Sequence, residues 1–301
     1  MKKRDFVKSL LSIPAVASLG LLPGKRLGES ATHCKPTSLK ISLNAYSFNR
    51  PLTKGEMDLD DLFEFCADHH FDAVDPTGYY FPGYPEVPTD RYLYDLKRKA
   101  FRLGLAISGT GVRNDFTEPD KGKRKKDIRL IKNWIVAAEK LGAPVIRIFS
   151  GTQEPPGFSW EQVAEWMISD IKECVEFGKS HGVVVAVQNH DDFIQNAEQV
   201  KYLIEKVGSP WFGLILDTGS YGGQDPYEEI KTSIPFAVSW QVKELISRNG
   251  KEMPIDLDKL MAIIKASGYR GYLPIETLGP GDPFKKVPVF LEEVRKALVS
   301  I

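Results

Sequence analysis

Four side chains, each standing directly after a short apolar run, carry the chemistry this sequence offers. Gln188 follows Val-Val-Val-Ala-Val, Asp217 follows Leu-Ile-Leu, Gln241 follows Val-Ser-Trp and Glu276 follows Leu-Pro-Ile. Two carboxylates and two amide oxygens brought to one point would suit one hard divalent cation, Mn2+ or Mg2+. Any one of the four could instead cap a helix or bond nearby backbone, and for a single residue that account is as good as the functional one. For four in matching positions it is the weaker account. His190 lies two residues past Gln188 and Lys243 two past Gln241, and a two-residue step along a strand keeps the same face. Arg147 sits within another apolar run, and Asn44 and Tyr46 close the first one. Asn44, Tyr46, Arg147 and Lys243 are therefore read as substrate-binding groups, the two cations through a substrate oxyanion. Tyr46, Phe48, Tyr79, Tyr80, Phe81, Tyr84 and Trp240 form an aromatic set suited to stacking on a sugar, with core packing taking some of them.

The elements that must position these groups alternate along the chain. Apolar strand runs are expected at 39–46, 73–76, 106–109, 145–149, 183–188, 213–217, 237–242 and 272–276. Between them lie stripes at helical spacing, such as Leu59, Leu62, Phe63 and Cys66, or Val163, Met167, Ile171 and Cys174. Several helices should stop at a glycine (Gly104, Gly142, Gly182, Gly268), the residue that takes the left-handed turn after a helix. Eight strands, each followed by a helix, predict a single (β/α)8 TIM barrel, an α/β fold whose chemistry sits at the C-terminal strand ends. An open doubly wound sheet is the runner-up, but no Gly-x-Gly-x-x-Gly follows the first strand.

Charge and the N-terminus set bounds on partners and location. Lys plus Arg equals Asp plus Glu at 40 each, which argues against nucleic acid as a partner. The only dense basic block, Lys121 to Lys126, reads as a solvated loop leading into a helix. Lys2, Lys3 and Arg4 precede an apolar stretch from Leu10 to Leu22, the pattern of a cleavable signal, with a twin-arginine-like Lys3-Arg4 pair. The expected organisation is a signal at 1–28, a linker at 29–38 and the barrel at 39–301. This predicts an exported, periplasmic protein with no stable membrane insertion, because the apolar stretch is too short to span a bilayer. Cys34, Cys66 and Cys174 are too widely spaced to suggest a structural disulfide. Oligomeric state is left open.

The segments Val187-Gln188-Asn189-His190, Leu216-Asp217-Thr218-Gly219, Trp240-Gln241-Val242-Lys243-Glu244 and Gly271-Tyr272-Leu273-Pro274-Ile275-Glu276 resemble the xylose isomerase-like TIM-barrel superfamily. That group holds sugar phosphate isomerases and epimerases, tagatose-type 3-epimerases and endonuclease IV, and the similarity runs from Leu39 to Ile301. The resemblance implies one metal held by Glu, Asp, His and Glu, with the two Glu residues serving as acid and base on opposite substrate faces. This chain keeps Asp217 and Glu276 but has Gln188 and Gln241 at the other two positions, and Ser220 where a substrate-binding His often follows the Asp. Glutamine can lend a metal its carbonyl oxygen but cannot take up a proton. The implied reading is a divalent-metal-dependent isomerase or epimerase acting on a small carbohydrate, with Glu276 as base. His190 is then either the acid partner or a substrate hydrogen bond. Alternatives are a lyase or hydrolase acting on oxidised (3-keto) sugars or glycosides, and a non-catalytic carbohydrate-binding barrel. Endonuclease IV chemistry needs a histidine-rich three-zinc cluster, and only His190 stands at a strand end here.

Overall fold

Strong β-formers bounded by turn residues produce the strands, and a computed structural model describes residues 39–190 and 193–300 of the chain. The predicted signal and linker, together with Cys34, lie outside those residues. The first half runs β1 (Lys40–Asn44), α1 (Asn49–Lys54), α2 (Leu59–Asp68), β2 (Ala73–Asp75), α3 (Asp90–Arg102), β3 (Ala106–Ile107) and β4 (Thr110–Gly111). It continues through α4 (Lys121–Leu141), β5 (Val145–Phe149), α5 (Trp160–Ser180), β6 (Val184–Gln188), α6 (Ala197–Val207), β7 (Phe212–Asp217) and α7 (Pro226–Ser233). The chain then forms β8 (Ala237–Lys243), β9 (Leu245–Arg248), β10 (Lys251–Pro254), α8 (Leu257–Ser267), β11 (Tyr272–Glu276) and α9 (Pro283–Val299).

The parallel sheet runs β3-β2-β1-β11-β8-β7-β6-β5-β4. Because β3 and β4 are successive pieces of one strand, this is the expected α/β barrel of eight strand positions. Instead of one strand at 106–109, the chain breaks at Ser108-Gly109: β3 pairs only with β2, and β4 only with β5. Hydroxyls pin the break: Ser108 Oγ meets Ser42 Oγ of β1 at 2.6 Å, and Thr110 Oγ1 of β4 donates across it to the Pro76 carbonyl at 2.8 Å. A Cβ at Gly109 would lie 3.1 Å from Val145 Cγ1, so the close approach of β5 favours glycine there.

The helices form where their stripes predict. Gly142 and Gly268 end α4 and α8 with φ of 79° and 76°, conformations a side chain would strain. Cys66 and Cys174 are buried on the inner stripes of α2 and α5, where burial pushes both thiols up and leaves them as small apolar groups. The basic block is not a solvated loop but the opening turns of α4, capped by Asp120. Its Arg124 is buried, pairs with Asp170 at 2.6 Å and lies over Trp166. The β9–β10 hairpin was not expected. Its signal is Asn249-Gly250, both with positive φ, the pair a two-residue hairpin turn demands. Among the described residues no helix is long and apolar enough to cross a membrane.

Candidate active site

Strand register decides which side chains meet inside the barrel mouth. Asp217 of β7 lies opposite Gln241 of β8, and Lys243 of β8 lies opposite Glu276 of β11. Phe149 of β5 lies opposite Gln188 of β6. The two-residue step from Gln241 to Lys243 therefore carries the lysine up one layer, beside Glu276. All five polar groups are buried.

The four groups expected to share a metal do converge, but chiefly on one another and on Lys243. Gln188 Nε2 donates to Asp217 Oδ2 at 2.6 Å and to Gln241 Oε1 at 2.5 Å. Lys243 Nζ lies 2.7 Å from Asp217 Oδ2 and 3.8 Å from Glu276 Oε1. Asp217 Oδ1 accepts the Gly219 backbone N–H at 2.9 Å. Asn189 clamps the Asp217 backbone in both directions, donating to its carbonyl at 3.0 Å and accepting its N–H at 2.8 Å. As arranged, the set does not fit a divalent ion. A Gln188 amide nitrogen and the Lys243 ammonium face the carboxylate oxygens that an ion would need. Among the described residues no group of three or more His, Cys, Asp or Glu could hold a metal.

Desolvation shapes the acid–base character. Burial pushes the Glu276 carboxyl up to about 7; the Lys243 ammonium pulls against that and the Asp217 charge adds to it. Asp75 is likewise pushed up to about 6 by burial, with the Arg147 charge and a hydrogen bond from Asn44 opposing. Tyr79 is raised by burial as well, against the charge of Arg147.

A cavity of about 180 Å³ opens above these groups, lined by Tyr46, Tyr79, Arg113, Arg147, Phe149, Gln188, His190, Gln241, Lys243, Glu276 and Leu278. Arg147 reaches it through a gap at Gly111, where a Cβ would sit 2.8 Å from the guanidinium Nε. The guanidinium lies 4.0 Å from the Phe149 ring centroid and its Nη2 is 3.4 Å from the Tyr79 hydroxyl. Arg147 Nη1 is buried and has no hydrogen-bond partner among the described residues. His190 stands edge-on to Phe149, ring centroids 5.3 Å apart, in the same wall as Gln188. A second cavity, about 400 Å³, shares His190, Lys243 and Leu278 with the first and extends over Ser220 toward β9.

The structure thus brings together Tyr46, Arg147, Gln188, His190, Gln241, Lys243 and Glu276 on one cavity wall, with Asp217 beneath. Asn44 is not on that wall: its Oδ1 accepts the Tyr46 N–H at 2.9 Å and its side chain bonds Asp75, so it holds the turn carrying Tyr46. The aromatic set divides as well. Phe48 packs on Phe65 and Phe284, Phe81 on Trp134, and Trp240 on Tyr269, all in the core. Tyr46 and Tyr79 do face the cavity. Sequence reasoning left Phe149 and Arg113 out of the site. Phe149 had a signal, since it stands two residues beyond Arg147 on the same strand.

A family model described as a xylose isomerase-like TIM barrel matches residues 63–294. The chain belongs to that family. Solved structures of the family fold superpose on it closely. A D-psicose 3-epimerase with D-tagatose from Clostridium cellulolyticum H10 has a TM-score of 0.73 at 15% identity, covering 86% of this chain and 99% of that one. A xylose isomerase domain protein from Planctomyces limnophilus gives 0.70 at 16% identity, covering 89% and 99%. A 3-keto-D-glucoside 4-epimerase from E. coli gives 0.68 at 13% identity, covering 86% and 99%. At such identities these likenesses speak to fold alone. Among curated protein sequences none matches.

Proposed function

We propose that this xylose isomerase-like barrel is a sugar isomerase or epimerase in which Glu276 moves a proton at the carbon beside a carbonyl. The observation that carries this is a buried base aimed into the same small cavity as a buried guanidinium N–H without a protein partner. A buried donor left unpaired costs free energy, so its place in the wall of a polar cavity marks where a substrate oxygen binds. Glu276 takes the proton, the C–H electron pair forms the enediol double bond, and the carbonyl pair moves onto an oxygen held by Arg147. Returning the proton to the former carbonyl carbon, while the hydroxyl proton of its neighbour passes to the oxyanion held by Arg147, isomerises the sugar; delivering a proton to the opposite face of the original carbon as the carbonyl re-forms epimerises it. His190 lines the same cavity and would carry that second proton or bind a hydroxyl. The cavity volume is below the ~300–1,000 Å³ usual for drug-sized ligands, which suits one sugar ring.

The convergence of Gln188, Asp217, Gln241 and Glu276 supports the metal expectation, and the cations and amide donors already facing them weigh against it, so no step is routed through an ion. The adjoining larger cavity favours one second reading, elimination on an oxidised glycoside whose second unit lies over Ser220. The N-terminal signal pattern fits an exported enzyme acting on unphosphorylated sugars. The test is incubation with free ketoses, aldoses and 3-keto-glycosides in deuterated water, read by NMR for exchange at carbon. Glu276→Gln is expected to lower exchange ~10²–10⁴-fold. A folded Glu276→Gln protein with near-normal exchange would refute the assignment.

A further inference from the structure

We infer that the Lys243 ammonium is the resident cation of this site, standing where a divalent ion would otherwise sit between Asp217 and Glu276. Its role in polarising a substrate rests on the reading above; its exclusion of metal does not.

Three features of the chain fit the lysine to this place. The Thr218 hydroxyl accepts the Lys243 backbone N–H at 3.0 Å, fixing where the side chain starts. Gly219 leaves a channel for its stem: a Cβ there would lie 2.7 Å from Lys243 Cδ and 3.1 Å from the Leu245 carbonyl oxygen. Asp217 then receives the ammonium at 2.7 Å. Consecutive residues Asp217, Thr218 and Gly219 thus provide the counter-charge, the anchor and the space.

The surrounding donors complete the argument. Asp217 is met by the Gly219 N–H, the Gln188 amide and the ammonium, which leaves its carboxylate well satisfied without an ion. Turning the Gln188 amide over would present an oxygen inward, but it would also leave Asp217 and Gln241 without their shared donor. A divalent ion bound at Asp217 would lie beside the ammonium, in a site that also holds the Arg147 guanidinium. Like charges brought together in a desolvated pocket repel strongly. Asp217 and Glu276 are the only anionic ligands on offer, and the lysine that already pairs with them offsets part of the charge that would draw an ion.

The experiment is titration of purified protein with Mn2+, following free Mn2+ by electron paramagnetic resonance, together with thermal melts in Mn2+ and in EDTA. The wild type is expected to show no saturable site into the millimolar range and an unmoved melting midpoint. Lys243→Arg, which keeps the charge, should behave alike. Lys243→Met is expected to gain one Mn2+ site, with affinity higher by on the order of 10²-fold or more and a melting midpoint raised by Mn2+. Should that variant unfold in EDTA, refolding in Mn2+ counts the same way. A wild-type site that saturates with one Mn2+ and is lost in Asp217→Ala would overturn the inference. So would a Lys243→Met protein that neither gains a site nor is rescued by Mn2+. Neither readout uses a sugar, so failure to find a substrate would count only against the proposed reaction.

Discussion

Where β11 delivers it, the Glu276 carboxyl is buried. The desolvation that lifts its carboxyl to about 7 has a kinetic consequence with a definite sign. The ionised form accepts the proton, so deuterium exchange should rise as pH climbs through about 7 and level off above it. Initial rates across that range decide the point, and a rate that falls through the same window would make Glu276 an acid instead. Residue types told much of this beforehand. A carboxylate closing an apolar strand is legible because only the strand end combines burial with access to the barrel mouth. Asn44 was not legible in the same way, because a short amide at a strand end serves a turn as readily as a ligand. Lys243 could be read as facing the cavity from its two-residue step. Its contact with Asp217 could not, because that depends on the register between β7 and β8.

At the scale of elements, two glycines make room for two cations. Gly111, the last residue of β4, admits the Arg147 guanidinium, and Gly219, just after β7, admits the Lys243 stem. A methyl group at either position must push on a side chain hemmed in by the barrel wall. Gly219→Ala and Gly111→Ala are each expected to cost ~1–3 kcal/mol in denaturant unfolding, the usual range for overpacking. Gly222→Ala, with nothing within 4 Å of the added carbon, should cost little and serves as the control. Equal stabilities for all three would show that the surroundings of both glycines yield freely. The sequence pattern found the strands and helices because hydrophobic periodicity dominates both. It missed the hairpin after β8, whose exposed β10 carries no apolar alternation, and only Asn249-Gly250 announces the turn. It also misread the basic block, because Arg124 looks like its lysine neighbours until Asp170, 46 residues further on, is folded against it.

Over the whole molecule, the buried carboxyls set how stability responds to pH. Asp75 and Glu276 are raised to about 6 and about 7 from 3.8 and 4.5. Both folded-state values lie above the unfolded ones, so the folded protein holds more protons in between, and its stability is lost as pH rises. Unfolding free energies from urea titration are expected to fall from about pH 5 to about pH 7, by an amount on the order of a few kcal/mol. An unfolding free energy that rises across that window would mean these carboxyls are held charged by their neighbours.

The break at Ser108-Gly109 makes this barrel a curled ribbon with two lips instead of a hoop. In a hoop, a local distortion is handed from strand to strand around the full circumference; at a lip it can stop. Asp75 stands on the strand beside one lip and Arg147 on the strand beside the other. The spacing between that carboxyl and that guanidinium is therefore held across the gap by the Thr110 hydroxyl bond to the Pro76 carbonyl and by the short span of chain from Ser108 to Thr110.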